Sequence, residues 1–187
     1  MEEKHQSILT AATQLFKEQG YKDTNISQIT QAANMAVGTF YRYFDSKEAI
    51  FLEVYKDENS RMRQQMIEQI NWEGDELQII AEIFSLSKQL TKDNAILKEW
   101  YNPTIASYLK SYYASAEGME KYNFHAFLLE LFSKKLFERG YSESDIQKLG
   151  YAIELIYKIE VTSDRQDATH AEALETLTTY FMKGILS

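Results

Sequence analysis

Residues Ala36 to Lys47 read A-V-G-T-F-Y-R-Y-F-D-S-K. The stretch predicts a short helix carrying Thr39, Tyr41, Arg42 and Tyr43, behind a tight turn and ahead of a new helix cap. Those residue types reach DNA phosphates and base edges. The segment before it, Ile26 to Ala33, has its own apolar stripe, and Asn34 suits a left-handed turn better than any other non-glycine residue. Two short helices joined by so tight a turn make a helix-turn-helix.

Upstream, Ile8, Ala11, Ala12, Leu15 and Phe16 mark one buried stripe on a first helix from about Glu3 to Gln19. Gly20 stands where a left-handed C-terminal cap belongs, and Tyr21 is placed to fold back onto Phe16. Thr24 or Asn25 caps the second helix, with Ile26, Ile29 and Ala33 facing inward. Val37, Phe40, Tyr41 and Phe44 form the inner face of the third, which leaves Tyr41 half in the core.

Downstream, Asp45 with Glu48 forms a capping box for a helix that runs through Phe51, Val54 and Tyr55 towards Ile70. Residues 71–75 break it. Leu77, Ile80, Ala81, Phe84 and Leu90 mark the next helix, and Pro103 starts or kinks another. Phe124, Phe127, Leu128, Leu131 and Phe132 stripe one that ends at Gly140, and Ser142 caps its successor. Leu174, Leu177, Phe181 and Ile185 stripe the last. The fold class is therefore all-α: a three-helix head over 1–47 and a helical bundle over 48–187.

The composition agrees with a packed helical protein. Of 187 residues 44% are hydrophobic, one is Pro and seven are Gly. There is no Cys, which excludes a disulfide framework and thiolate metal sites. No run is long and apolar enough to span a membrane, and Met1 to Gln6 does not read as a signal segment, so a cytoplasmic protein is expected. The formal net charge is −8, and the first fifty residues contribute five Lys/Arg against six Asp/Glu. Such a balance predicts weak non-specific affinity for nucleic acid and low tolerance of salt.

The helix after Ser142 carries two apolar stripes, one through Ile146, Leu149, Ile153 and Ile156 and one through Ala152, Leu155 and Ile159. A surface helix of a monomer needs one. The closing helix has Tyr180 and Met182 outside its main stripe. These faces predict a homodimer; a fully buried central helix is the plainer alternative. An aromatic group that includes Trp100, Tyr101, Tyr108, Tyr112, Tyr113, Tyr122, Phe124 and Phe127 either lines a small-molecule pocket or is plain core. Asp167 and His170 share a helix face, but surface polar placement explains them, and no metal or cofactor is expected. No nucleophile motif, phosphate-cradling loop or catalytic carboxylate pair stands out, so the chain does not read as an enzyme.

The first fifty residues resemble the TetR family of bacterial transcriptional repressors. The resemblance rests on I-L-T-A-A-T-Q-L-F (Ile8 to Phe16), G-Y (Gly20, Tyr21) and T-N-I-S-Q-I (Thr24 to Ile29). It continues through A-A (Ala32, Ala33), G-T-F-Y-R-Y-F (Gly38 to Phe44) and S-K-E (Ser46 to Glu48) without insertion. It implies a dimer with paired reading heads, a C-terminal effector domain and a palindromic DNA operator released by a small molecule. It also implies phosphate contacts at Thr24, Tyr43 and Lys47, and groove or phosphate contacts at Thr39, Tyr41 and Arg42. Asn25, Gln28, Val37 and Gly38 complete the DNA-facing set. Two positions depart from the family pattern: Ala36 removes a side-chain helix cap, and Val37 replaces a commonly basic residue. The alternative expectation is a helical ligand- or partner-binding protein without specific DNA recognition.

Overall fold

The structure is a computed structural model that describes residues 2–120, 123–163 and 168–186. Among them the chain forms ten α-helices and one 3-10 helix, with no strand. No helix of the described residues is long and apolar enough to cross a membrane. The chain divides into two compact units, Met1–Ala106 and Ser107–Ser187.

In the first unit, α1 (Glu2–Asp23) is broken at Gly20, whose φ of 78° and ψ of 173° lie in a region open almost only to glycine. The sequence predicts that the helix stops in a left-handed cap there. The chain instead kinks and takes a further turn, because Tyr21 swings inward and is 2% exposed. Its ring still meets Phe16, 6.1 Å between centroids, and also Phe51 at 4.9 Å.

Next come α2 (Ile26–Ala32), α3 (Val37–Phe40), α4 (Lys47–Gln69), α5 (Glu76–Lys92) and the 3-10 helix Leu97–Tyr101. Ile8, Ala12, Phe16, Ile29, Phe40, Ile50 and Phe51 are fully buried, and α1 packs on both α2 and α4. Each large side chain so buried contributes about 1.5–3 kcal/mol. The cap of α4 is Ser46, whose Oγ accepts the Ala49 N–H at 3.1 Å. The predicted Asp45–Glu48 box does not form, because Ser46 and not Asp45 takes the cap position; the Glu48 carboxylate accepts the Tyr21 hydroxyl at 2.6 Å. Asp75 caps α5 by accepting from the Leu77 and Gln78 amides.

The second unit is built from α6 (Ala106–Ala114), α7 (Ala116–Glu120), α8 (Asn123–Glu138), α9 (Glu143–Thr162) and α10 (Ala168–Leu186). Pro103 lies in the turn before α6, where its ring breaks no helix. Between α6 and α7 the backbone passes so close that a Cβ on Gly118 would lie 2.1 Å from the Tyr112 carbonyl oxygen. Ser142 caps α9 by accepting the Asp145 N–H at 3.2 Å. α8 packs against α9, and α9 against α10.

The buried stripe of α10 runs through Leu174, Met182 and Ile185. This corrects two expectations at once. Met182 is core and not interface, and Leu177 is 44% exposed. Positions 174, 182 and 185 fall on one face at helical spacing, rotated from the face through 177 and 181.

Candidate nucleic-acid interface

The reading element is assembled from local bonds. Asn25 Oδ1 accepts the Gln28 N–H at 3.0 Å, and Gln28 Oε1 accepts the Asn25 N–H at 2.8 Å. This capping box fixes the start of α2. At its other end Asn34 has φ 54°. The Met35 N–H donates to the Thr30 carbonyl at 2.8 Å and the Asn34 N–H to that of Gln31 at 3.0 Å. That pair of bonds is a Schellman turn, and it aims the chain into α3.

α3 is shorter than the sequence predicts. Its helix covers Val37–Phe40, and Tyr41, Arg42 and Tyr43 follow on a tight turn. There the Arg42 N–H bonds the Thr39 carbonyl at 3.2 Å and the Tyr43 N–H that of Phe40 at 2.9 Å. No side chain caps the helix at Ala36, as the sequence predicts. Phe40 and Phe44 anchor the element in the core, at 0% and 3% exposed. The other two predicted inner residues point outward: Val37 is 43% exposed and Tyr41 55%. The tightened turn after Phe40 carries Tyr41 off the inner face.

The exposed surface of the element is therefore Val37, Gly38, Tyr41 and Arg42, with Thr39 half-buried beside them. A Cβ on Gly38 would meet nothing within 4 Å, so the bare backbone there serves no internal packing. Arg42 makes no ion pair among the described residues. Tyr43 is half-buried, its ring edge-on to His5 at 6.0 Å.

Two expected phosphate ligands are occupied inside the protein. Thr24 is 1% exposed, its hydroxyl donating to the Gly20 carbonyl at 2.8 Å and accepting from Gln19 at 3.2 Å. Its side chain offers the surface no donor. The Lys47 ammonium donates to the Tyr21 and Thr24 carbonyls, both at 2.9 Å, and lies 4.1 Å from the centre of the Tyr21 ring. Burial pulls its pKa below the usual lysine value, against the opposing pull of Glu48, Glu99 and Asp23. The Glu48 carboxyl is held below the usual carboxylate range, chiefly by the Tyr21 hydroxyl. Asn25 and Gln28 likewise spend side-chain oxygens on each other.

The residues that sequence reasoning misses here are Tyr21, Glu48 and Glu99. Glu99 Oε1 accepts the Tyr21 N–H at 3.3 Å across 78 positions of chain, a separation that no helical periodicity reports.

The predicted pocket aromatics do not fall in one unit. Trp100 and Tyr101 belong to the first, with Trp100 stacked on Tyr55 at 6.1 Å and Tyr101 41% exposed. Tyr108, Phe124 and Phe127 belong to the second; Tyr108 is 41% exposed, and Phe124 is buried against Phe127. Tyr122 and Asp167 lie outside the described residues. Among the described residues no group of three His, Asp or Glu side chains is placed to hold a metal. On α9, Tyr151, Leu155 and Ile159 are exposed at four-residue spacing, and Ala152 is half-buried. On α10, Leu177 and Tyr180 are exposed.

Residues 8–54 match the profile of the family described as bacterial regulatory proteins, tetR family. The chain is similar to the HTH-type transcriptional regulator HbdR of Aromatoleum sp. (strain CIB), with 39% identity over 70 residues. That match covers 37% of this chain and 31% of HbdR. It is also similar to the fatty acid metabolism regulator protein of Bacillus subtilis (strain 168), with 28% identity over 64% of this chain and 59% of that protein. The chain thus spans less than two thirds of both curated relatives. The crystal structure of the transcriptional regulator FadR from Bacillus subtilis in complex with stearoyl-CoA superposes with a TM-score of 0.51 at 21% identity, covering 97% of each chain. That likeness extends the shared fold to the C-terminal helices.

Proposed function

We propose that this chain, whose residues 8–54 match the tetR family of bacterial regulatory proteins, is a ligand-responsive DNA-binding transcriptional repressor of that family. One observation carries the reading. α3 is anchored in the core by Phe40 and turns its other face outward, where its open glycine, Gly38, lies between exposed Val37 and exposed Tyr41 and Arg42. A bare helical backbone flanked by a hydroxyl and a guanidinium suits close approach to a groove edge. Arg42 is the cation available for a guanine edge or a phosphate, and Thr39, Tyr41 and Tyr43 supply hydroxyl donors.

Residues 1–47 act as the reading head and 48–187 as the effector and dimerisation part. Two copies associate through the faces bearing Leu155, Ile159 and Tyr180, with Ala152 at the edge. The two-fold pair reads a palindromic operator with half-sites about 34–36 Å apart or a multiple of it. The effector is a small molecule, and the first class to test is a long-chain acyl-CoA. The Bacillus subtilis relative is a fatty acid metabolism regulator, and the fold neighbour binds stearoyl-CoA. Tyr108, Phe124 and Phe127 are the aromatic residues offered for its apolar part.

The test is a low-salt anisotropy titration of the protein on duplex from upstream of its own gene, repeated with stearoyl-CoA. Specific binding that weakens about a hundredfold at saturating ligand, equivalent to about 2.7 kcal/mol of differential affinity, is the expected result. Unchanged affinity at saturating ligand removes this effector class. The net charge of −8 and Val37 favour a second reading, a helical binding protein without specific DNA recognition. Failure to prefer any duplex over random sequence at low salt establishes that one.

A further inference from the structure

The elbow between α1 and α2 is gripped by an acidic side chain from far along the chain. Glu99 sits on the 3-10 helix and is 7% exposed. Its Oε1 accepts the Tyr21 N–H at 3.3 Å and would lie 3.5 Å from a Cβ on Gly20. Its Oε2 accepts the side-chain amide of Asn102. The Asn102 carbonyl in turn accepts the N–H of Ile105 at 3.1 Å and of Ala106, the first residue of α6, at 2.8 Å. A continuous hydrogen-bonded path therefore runs within the first unit from Ala106 through Asn102 and Glu99 to Tyr21.

The far side of Tyr21 is held as firmly. Lys47 donates to its carbonyl, Glu48 accepts its hydroxyl, and Phe51 packs on its ring. The backbone of one residue is thus clasped between an anion on its N–H and a cation on its C=O. Taking a carboxylate out of water is costly, and an apolar side chain of similar size holds a static elbow at least as well. A charged grip differs in one respect: it is directional, and a small displacement releases it.

We propose that Glu99 is a positioning residue. Through the Tyr21 amide it sets the angle at which α2 and α3 are presented, so that operator affinity follows the seat of the 3-10 helix. This rests on the DNA-reading function proposed above and adds the residue through which that function is regulated.

The full-length protein with Trp72→Phe, which leaves Trp100 as its single tryptophan, is compared with the same protein carrying Glu99→Ala or Glu99→Gln. Hydrogen exchange at the Tyr21 amide reads the grip without DNA. Operator affinity and the change in Trp100 emission on operator binding read the coupling, which must be reciprocal. In Glu99→Ala, Tyr21 exchange rises about tenfold or more, operator affinity falls by a similar factor, and the Trp100 response at saturating operator disappears. Glu99→Gln, whose carbonyl oxygen still accepts the Tyr21 N–H although its amide nitrogen cannot accept from Asn102, restores slow Tyr21 exchange and operator affinity. Unchanged Tyr21 exchange in Glu99→Ala overturns the grip. Faster exchange with full operator affinity and a full Trp100 response reduces Glu99 to a structural residue and overturns the proposal. If the unaltered protein binds no duplex, the regulator reading itself fails, and the exchange measurement alone decides the grip.

Discussion

The Lys47 ammonium lies 4.1 Å from the centre of the Tyr21 ring and donates to that residue's carbonyl oxygen at 2.9 Å. A lysine at the first position of a helix is unfavourable for the helix dipole, and here an internal clasp offsets that cost. Lys47→Met keeps the apolar stem and removes the donor. It should lower stability by about 1–2 kcal/mol in chemical denaturation, the lower part of the range for a charged donor because the group is half-exposed. The slope of log affinity for DNA against log salt should change by much less than the roughly 0.9 expected of one lost phosphate contact. A drop of that full size would return Lys47 to the phosphate-binding set.

Gly38→Ala separates reading from folding. Nothing lies within 4 Å of the added Cβ, and the backbone there is helical. Stability should hold or rise by up to about 1 kcal/mol, because alanine is the better helix former. Operator affinity should fall by about tenfold or more where the methyl group meets the groove, roughly 1.4 kcal/mol. Equal affinity for both proteins places the DNA elsewhere.

Acid should loosen the elbow through Glu48. Its folded carboxyl is held below the usual carboxylate range, first by the Tyr21 hydroxyl, so the folded state binds its proton less readily than the unfolded chain does. The resulting stabilisation is complete above the ordinary carboxylate range and is lost as the pH falls through the folded value. Tyr21→Phe removes the hydroxyl alone. The stability difference between the two proteins should be constant near neutral pH and shrink on acidification, measured by denaturation at stepped pH. A difference that grows instead would refute the assignment.

The exposed face of α9 makes a prediction about assembly. Leu155 and Ile159 are 44% and 45% exposed. Leu155→Arg should convert a dimer to monomer in sedimentation while leaving far-UV circular dichroism intact. Met182→Ala acts differently, because Met182 is 3% exposed: it should cost about 2–5 kcal/mol of stability.

Gly118 should tolerate no side chain. A Cβ there would lie 2.1 Å from a backbone oxygen, which cannot rotate away. Gly118→Ala should destabilise the protein by about 1–3 kcal/mol through forced backbone movement. A melting temperature equal to that of the unaltered chain would contradict this close approach.

Much of the head is legible one segment at a time. Asn25 and Gln28 are three residues apart and make the capping box by themselves. Asn34 takes its left-handed conformation because the turn after α2 needs it. The apolar spacing from Ile8 to Phe16 is enough to place a buried stripe on α1. Each of these is settled by neighbours within about one helical turn. The outward position of Tyr41 was not legible, because an aromatic residue next to Phe40 fits a core pattern equally well. Its placement depends on where the helix tightens, which packing of Phe40 and Phe44 sets.

From sequence alone, this chain is an all-helical protein whose first fifty residues make a helix-turn-helix head. Local caps, turns and periodicity suffice for that. Tertiary structure decided which polar groups remain available outside. It turned Lys47 and Thr24 inward, buried Met182 and left Leu177 exposed, and brought Glu99 to the Tyr21 amide. The reason is physical: a polar side chain's partner is chosen by the desolvation and geometry of its finished surroundings, and those come from segments far apart in the chain.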